Sequence, residues 1–175
     1  ALETLHFIKN KKLITFSEQQ ILDCSGDIGN DGCKGGYLDL TLKYAAQAGL
    51  TTEDNYGYTA SQNDCAYSSS DSIFKPSGYT RVTANNYQSL QAAVMKGVVA
   101  TTVNSASKSF YLYKSGIITT DCDTTVDHSV AIVGYSATGA TPYWIVKNCW
   151  GASWGENGYV RIAMGDHNDG KGLCG

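Results

Sequence analysis

Apolar residues at Leu2, Leu5, Phe7 and Ile8 recur at helical spacing, and the run closes on Lys9-Asn10-Lys11-Lys12, basic residues that suit the C-terminal end of a helix dipole. The pattern predicts a helix over residues 1–11. A second helix opens at Ser17-Glu18-Gln19-Gln20, with Ser17 as N-cap, Gln20 at the capping-box position, Ile21 and Leu22 facing inward and an end near Cys24. Residues 25–36 lose periodicity and are rich in glycine, a composition that allows tight turns and close approach of backbone to a ligand. Leu38, Leu42, Tyr44, Ala45 and Ala48 restore the helical period over residues 37–48, and Gly49 stops it.

From residue 50 to 77 the period is lost again, and Tyr56-Gly57-Tyr58, Cys65 and Ser68-Ser69-Ser70 mark a surface excursion. Pro76-Ser77-Gly78 is the expected boundary between two lobes, residues 1–77 and 78–175. Beyond it the pattern predicts a strand at 79–83, a short helix at 87–96 closed by Gly97, and a buried strand at 98–104. A turn-rich segment at 110–118 precedes strands at 128–135, 143–147 and 158–163. Helices gather in the first part and strands in the second, an α+β order that implies two lobes with a groove between them.

At 175 residues and 42% apolar content the chain can bury a substantial core. Its net charge of −3 and pI near 5.5 come without a basic stripe, which argues against nucleic acid as a partner. No run of about 18 apolar residues is present, so a membrane span is not expected. The start reads as mid-helix, with neither an N-cap nor the layout of a signal peptide, and is expected to be a cut. Six cysteines, 12 tyrosines and 19 glycines beside only 17% charged residues fit an oxidising compartment. The absence of a Cys-x-x-Cys pair favours disulfides over a metal site, and no metal or cofactor is expected.

Candidate chemistry lies between residues 126 and 158. Val126-Asp127-His128-Ser129 opens one strand, and Asn148 follows the next, between Lys147 and Cys149-Trp150-Gly151. Neighbouring antiparallel strands would present both side chains at one edge. A histidine oriented by a side-chain amide is half of a thiol-dependent hydrolytic site; the activated cysteine has to be found elsewhere. His6 and His167 lack such a context and are expected at the surface.

Four ordered stretches carry a family resemblance. Ser17-Glu18-Gln19-Gln20-Ile21-Leu22-Asp23-Cys24 resembles the Ser-Glu-Gln-x-Leu-x-Asp-Cys signature of papain and cathepsin L type cysteine proteases, and Gly32-Cys33-Lys34-Gly35-Gly36 resembles their Gly-Cys-Asn-Gly-Gly loop, with Lys34 where Asn is usual. Asp127-His128-Ser129-Val130 with Gly134-Tyr135 looks like the strand of the catalytic histidine. Trp144-Ile145-Val146-Lys147-Asn148-Cys149-Trp150-Gly151, continued by Trp154-Gly155-Glu156-Asn157-Gly158-Tyr159, resembles the asparagine block.

The resemblance implies a papain-like two-lobe fold, a helical left lobe and an antiparallel β-barrel-like right lobe with a cleft between, and an endopeptidase that works by Cys, His and Asn. The family's Cys-Gly-[Ser/Ala]-Cys-[Trp/Tyr] signature, about 130 to 150 residues before its histidine and asparagine, does not occur here. The resemblance places the nucleophile about eight residues before Ala1, so the chain by itself is expected to be inactive. It also implies that a last strand lies beyond Gly175.

In the implied mechanism the thiolate attacks the peptide carbonyl while His128, as imidazolium, protonates the leaving amine. Asn148 holds the ring and Trp150 covers that bond from water. Gly35 and Gly36 are expected to pair their backbone with an extended substrate. Tyr37, Leu38, Thr102 and Val126 correspond to walls of a pocket for an apolar side chain, the second residue on the acyl side of the cut. Asp127 either tunes the charge of His128 or is a solvent-exposed acid.

The resemblance further pairs Cys24 with Cys65 and Cys122 with Cys174. Cys33 is left over, its partner expected upstream, and Cys149 is unpaired where the family has serine. Cys149 is expected to replace serine as a small side chain in a packed turn, the alternative being that it is oxidised or disturbs the site, and its side chain is expected to point the other way along the strand. Peptide or protein substrates, an inhibitory propeptide, a monomeric state and a lysosomal, vacuolar or secreted setting complete the expectation. A catalytically silent homologue that only binds peptides or a partner is the alternative. A disulfide-stabilised structural domain would require His128 and Asn148 to lie apart.

Overall fold

Ser17 caps the helix α2 (Glu18–Cys24) by accepting from the Gln20 backbone N–H at 2.9 Å, but Gln20 does not return the favour to the cap. Its carboxamide is instead fully buried: Oε1 accepts from Thr51 N at 2.9 Å, and Nε2 donates to Gly49 O at 3.0 Å and Tyr44 Oη at 3.1 Å. Gln19, equally buried, donates to Ser61 O and Asp23 Oδ1 and accepts from Thr59 N. Two glutamines, rather than Ile21 and Leu22, therefore make the most buried face of α2, which is tolerable because their polar atoms are paired. Gln20→Leu would strand the buried Thr51 N–H, so it is expected to lower stability by about 2–3 kcal/mol, read as a reduced urea midpoint at unchanged slope.

These residues belong to a computed structural model that describes residues 1–175 and divides by its contacts into two units, Leu2–Arg81 and Val82–Gly175. In the first unit α1 (Leu2–Asn10), α2 and α3 (Leu38–Ala48) surround a small core of Phe16, Ala45 and Leu50, extended by Leu2, Ile14, Ile21 and Phe74. His6, expected at the surface, is buried there: its Nδ1 lies 2.8 Å from Lys12 O, and its ring packs edge-on to Phe16 and Phe74. Phe7 and Ile8 are about half exposed instead. Residues 50–81 contain only two isolated bridges and a single 3-10 turn at Ser69–Asp71. The strand expected at 79–83 does not form, because this extended stretch has no partner with which to build a ladder.

The second unit is built on an open sheet in the order β1-β3-β4-β5-β2. β1 (Val99–Val103), β3 (His128–Ser136), β4 (Tyr143–Lys147) and β5 (Tyr159–Ala163) are mutually antiparallel, while the two-residue β2 (Ile117–Ile118) joins β5 in parallel at the edge. The sheet is not closed into a barrel, because β1 and the short β2 are its two ends and do not pair. Alternation along β3 and β4 puts Val130, Ile132, Trp144 and Val146 on one face, where they pack with Val103, Phe110, Val160 and Ile162. The helix α4 (Tyr87–Val94) lies against β3. Residues 110–118, read as turns, hold the end of the short helix α5 (Lys108–Tyr111) and β2. No helix is long and apolar enough to cross a membrane.

Candidate active site

The register of β3 against β4 pairs Ala131 with Lys147 and Ile132 with Val146, with an extra residue, Val133, before Gly134 meets Ile145. Continued one step, this register sets Val130 opposite Asn148. His128, two residues further along β3, then stands diagonal to Asn148 on the same face. That placement brings His128 Nε2 to 2.8 Å from Asn148 Oδ1.

The same oxygen accepts from the Cys149 backbone N–H at 2.8 Å. A backbone N–H can only donate, so the atom facing it is the amide oxygen, and the His128 nitrogen that reaches it must carry a proton. Nε2 is thereby the protonated nitrogen, and Nδ1 is left to take or return a proton. Asn148 is itself fixed by its backbone N–H to Gly158 O at 3.0 Å, and its side chain is 7% exposed.

Trp150 stacks on the imidazole, with ring centroids 5.2 Å apart and planes 27° from parallel. It is propped by the fully buried Phe110, edge-on at 5.7 Å, and by Trp154 at 5.3 Å. Phe110 carried no signal in the sequence, because it falls in a segment without periodicity. An indole over the ring limits the access of water to the His128–Asn148 bond, which strengthens it.

Asp127 is bonded to the strand and loop beside it. Its backbone N–H donates to Val103 O, and its carboxylate accepts from Ser105 N at 2.7 Å. That bond is the main reason its carboxyl sits below the usual carboxylate range, with the His128 charge a lesser cause. Asp127 thus anchors the start of β3 to the loop after β1.

Cys149 departs from the expected direction. Alternation would turn its side chain away, but the strand ends at Lys147 and the chain bends through Cys149 and Trp150 to Gly151, which has φ 84°. Cys149 Sγ consequently lies 4.0 Å from His128 Nε2, and the thiol is exposed and free.

The remaining candidates divide between the units. Thr102 pairs with Ser129 in the β1–β3 ladder, one step from the Val103–His128 pair, and Val126 is 44% exposed just before β3. In the first unit Gly35, Gly36, Tyr37 and Leu38 link the 3-10 turn Gly32–Lys34 to α3. Gly35 has φ 124° with open space where a side chain would stand. At Gly36 a Cβ would come within 2.6 Å of Asn30 Oδ1, the atom that accepts from Tyr37 N. Tyr37 is 68% exposed. Cys33 is exposed and free, while Cys24 is bonded to Cys65 and Cys122 to Cys174. No group of three or more His, Cys, Asp or Glu side chains is placed to hold a metal.

The turn behind Trp154 is set by a feature the sequence did not signal. Glu156 takes a two-pronged contact from Arg161, Nη2 to Oε1 at 2.6 Å and Nε to Oε2 at 2.9 Å, and also accepts from Gly116 N. The guanidinium holds the Glu156 carboxyl below its ordinary value. A carboxyl depressed on folding contributes stability that is complete above the unfolded-state pKa and is lost as pH falls through the folded one. Glu156→Gln is therefore expected to cost about 1–2 kcal/mol at pH 7, and the loss should shrink as the pH falls below the ordinary glutamate range. Thermal melts of both proteins across that range would show it.

The likeness to known proteins points the same way. The chain is 44% identical over 180 residues to cysteine endopeptidase RepA of Oryza sativa subsp. japonica, covering 100% of this chain and 47% of that protein. The Carica candamarcensis cysteine protease CMS1MS2, solved with E-64, is 36% identical at a TM-score of 0.88, covering 99% of this chain and 79% of that one. The ragweed pollen allergen Amb a 11, solved in its proform, is 35% identical at a TM-score of 0.91, covering 99% of this chain and 52% of that one. The chain spans about half the length of the curated relatives it matches. The model of the papain family cysteine proteases matches residues 1–175, and the chain belongs to the papain family.

Proposed function

We propose that the protein hydrolyses peptide bonds as a cysteine-type endopeptidase, with His128 and Asn148 serving a thiol contributed by residues outside these 175. The observation that carries this reading is the 2.8 Å bond from His128 Nε2 to Asn148 Oδ1, which leaves Nδ1 for proton exchange. A thiol that loses its proton to Nδ1 forms a thiolate–imidazolium pair, and the thiolate attacks the substrate carbonyl. His128 then returns the proton from Nδ1 to the leaving amine, while Asn148 and Trp150 keep the ring in place. Water, deprotonated by the same nitrogen, releases the acyl group and restores the thiol.

Substrate contacts are proposed on each unit taken separately: the open backbone at Gly35 and Gly36 with Tyr37 and Leu38 in the first, and Thr102, Val126, Asp127 and Trp150 in the second. Exposed apolar surface at Tyr37 and Val126 supports acceptance of an apolar side chain. Two disulfides support an oxidising setting, lysosomal, vacuolar or secreted. An inhibitory propeptide is proposed from the relative solved in its proform.

The test is hydrolysis of a peptide with an apolar residue at the second acyl-side position by the full-length protein, with and without an epoxide that alkylates thiols. Loss of hydrolysis on alkylation is expected. Hydrolysis that survives the reagent would defeat the proposal, and a full-length protein that binds the peptide without cutting it would indicate the silent homologue.

A further inference from the structure

The only Asn-Gly pair in the chain, Asn157-Gly158, lies in the turn that leads into β5. Asn157 is exposed and has φ 56°, in the left-handed region that asparagine tolerates better than most side chains. Gly158 is buried, with φ 89°, and both of its backbone groups are engaged: its N–H donates to Trp154 O at 2.8 Å and its carbonyl accepts from Asn148 N at 3.0 Å. The second of these bonds holds the residue whose amide meets His128 Nε2. Glu156 closes the turn around the pair, through its N–H to Tyr159 O at 2.9 Å and through its carboxylate to Arg161 and to Gly116 N.

Asparagine before glycine is chemically reactive, because glycine has no Cβ to obstruct its nitrogen as it approaches the preceding carboxamide. We propose that Asn157 is a site of conversion to isoaspartate, that the turn held by Glu156 and Arg161 gates the reaction, and that conversion releases Asn148 from Gly158. In the first step Gly158 N attacks Asn157 Cγ. The carboxamide C–N bond breaks, the displaced nitrogen leaves as ammonia with the proton that Gly158 N gives up, and a succinimide ring forms. Water then adds to the ring carbonyl derived from the Asn157 main chain, its C–N bond breaks, and the chain continues through Cγ as isoaspartate. The N–H that has to react is the one bonded to Trp154 O, so the closed turn protects Asn157 and its opening sets the rate. Isoaspartate lengthens the main chain by a methylene just before Gly158, which cannot then keep both its bond to Trp154 and its bond to Asn148. The consequence for hydrolysis rests on the function proposed above, whereas the modification itself does not.

The experiment keeps full-length protein, first treated with the thiol-alkylating epoxide against self-digestion, at mildly alkaline pH for weeks. Isoaspartate is located by an isoaspartyl methyltransferase and peptide mass spectrometry. The peptide containing Asn157 is expected to convert in the folded wild type more slowly than in the urea-unfolded chain, and several-fold faster in Glu156→Gln than in the wild type. Gln20→Leu, destabilised in the other unit, should keep the wild-type rate. The isoaspartyl form should show displaced NMR signals for the His128 ring nitrogens, whereas fresh Asn157→Asp, with the added charge but an unlengthened main chain, should not. A folded protein that forms no isoaspartate at Asn157, a rate that Glu156→Gln leaves unchanged or that Gln20→Leu raises equally, or an isoaspartyl form with undisplaced His128 signals would overturn the proposal. None of these readouts is peptide hydrolysis, so a protein that never cuts peptides would sink the functional reading and leave this one decided on its own data.

Discussion

His128→Ala in the full-length protein is expected to lower kcat/KM for a peptide substrate by roughly 10⁴-fold, the upper end of what a positioned acid–base group supplies. The fall should lie almost entirely in kcat, because the ring acts on the proton of the reacting thiol and leaving amine rather than on ground-state binding. Asn148→Ala should cost less, roughly 10²-fold, since it frees the ring to turn without removing it. The two losses should not add. Asn148 meets the imidazole through His128 Nε2, and its other side-chain bond is to the Cys149 backbone, so in the double variant little should remain for its loss to change in the rate. Steady-state kinetics of the two single variants and the double variant check this. Asn148→Ala having the same effect with and without His128 would mean that the amide works by some other route.

The second large effect concerns Cys24–Cys65. This bond closes a loop with a sequence separation of 41, for which chain entropy gives about 4 kcal/mol. It joins the end of α2 to a stretch with no regular structure, where few apolar side chains are buried. What else holds that stretch is polar and comes from the same helix: Asp23 accepts from Asn63 N and Tyr56 Oη, and Gln19 bonds Thr59 N and Ser61 O. Those bonds depend on the loop staying near α2, so the paired substitution Cys24→Ser and Cys65→Ser should lose most of the full figure. The expected readouts are a lowered thermal midpoint and new proteolytic nicking between residues 56 and 66. A doubly substituted protein as stable and as resistant as the parent would show that the polar contacts suffice.

Much of the site was legible because strand periodicity is strict. Once residues 128–135 and 143–147 read as neighbouring strands, His128 and Asn148 could be placed at one edge; the register that sets Ala131 opposite Lys147 then puts them on one face. Cys149 was misread by the same rule: its strand had already ended, and the bend into Gly151 turned Sγ back toward the ring. Residue chemistry misled at His6 and Gln20: His6 is buried with its ring nitrogen on Lys12 O and its ring against Phe16 and Phe74, and Gln20, like Gln19 beside it, is buried because backbone groups distant in sequence complete its bonds. No local pattern reports such partners. The barrel-like description of the second lobe came from the resemblance rather than from the residues. The sheet stays open because its last strand is two residues long and parallel to β5. Phe110 and the Glu156–Arg161 pair escaped notice because their roles lie in what they support, Trp150 in one case and the turn before β5 in the other.

The central claim is that His128 and Asn148 serve a thiol from outside these 175 residues. Its most direct measurement is to treat full-length protein with the thiol-alkylating epoxide until hydrolysis stops, then locate the label by peptide mass spectrometry. One equivalent on a cysteine outside residues 1–175, slowed by His128→Ala, is the predicted result. Label on Cys149 in step with the loss of activity, or loss of activity with no cysteine labelled, would contradict it.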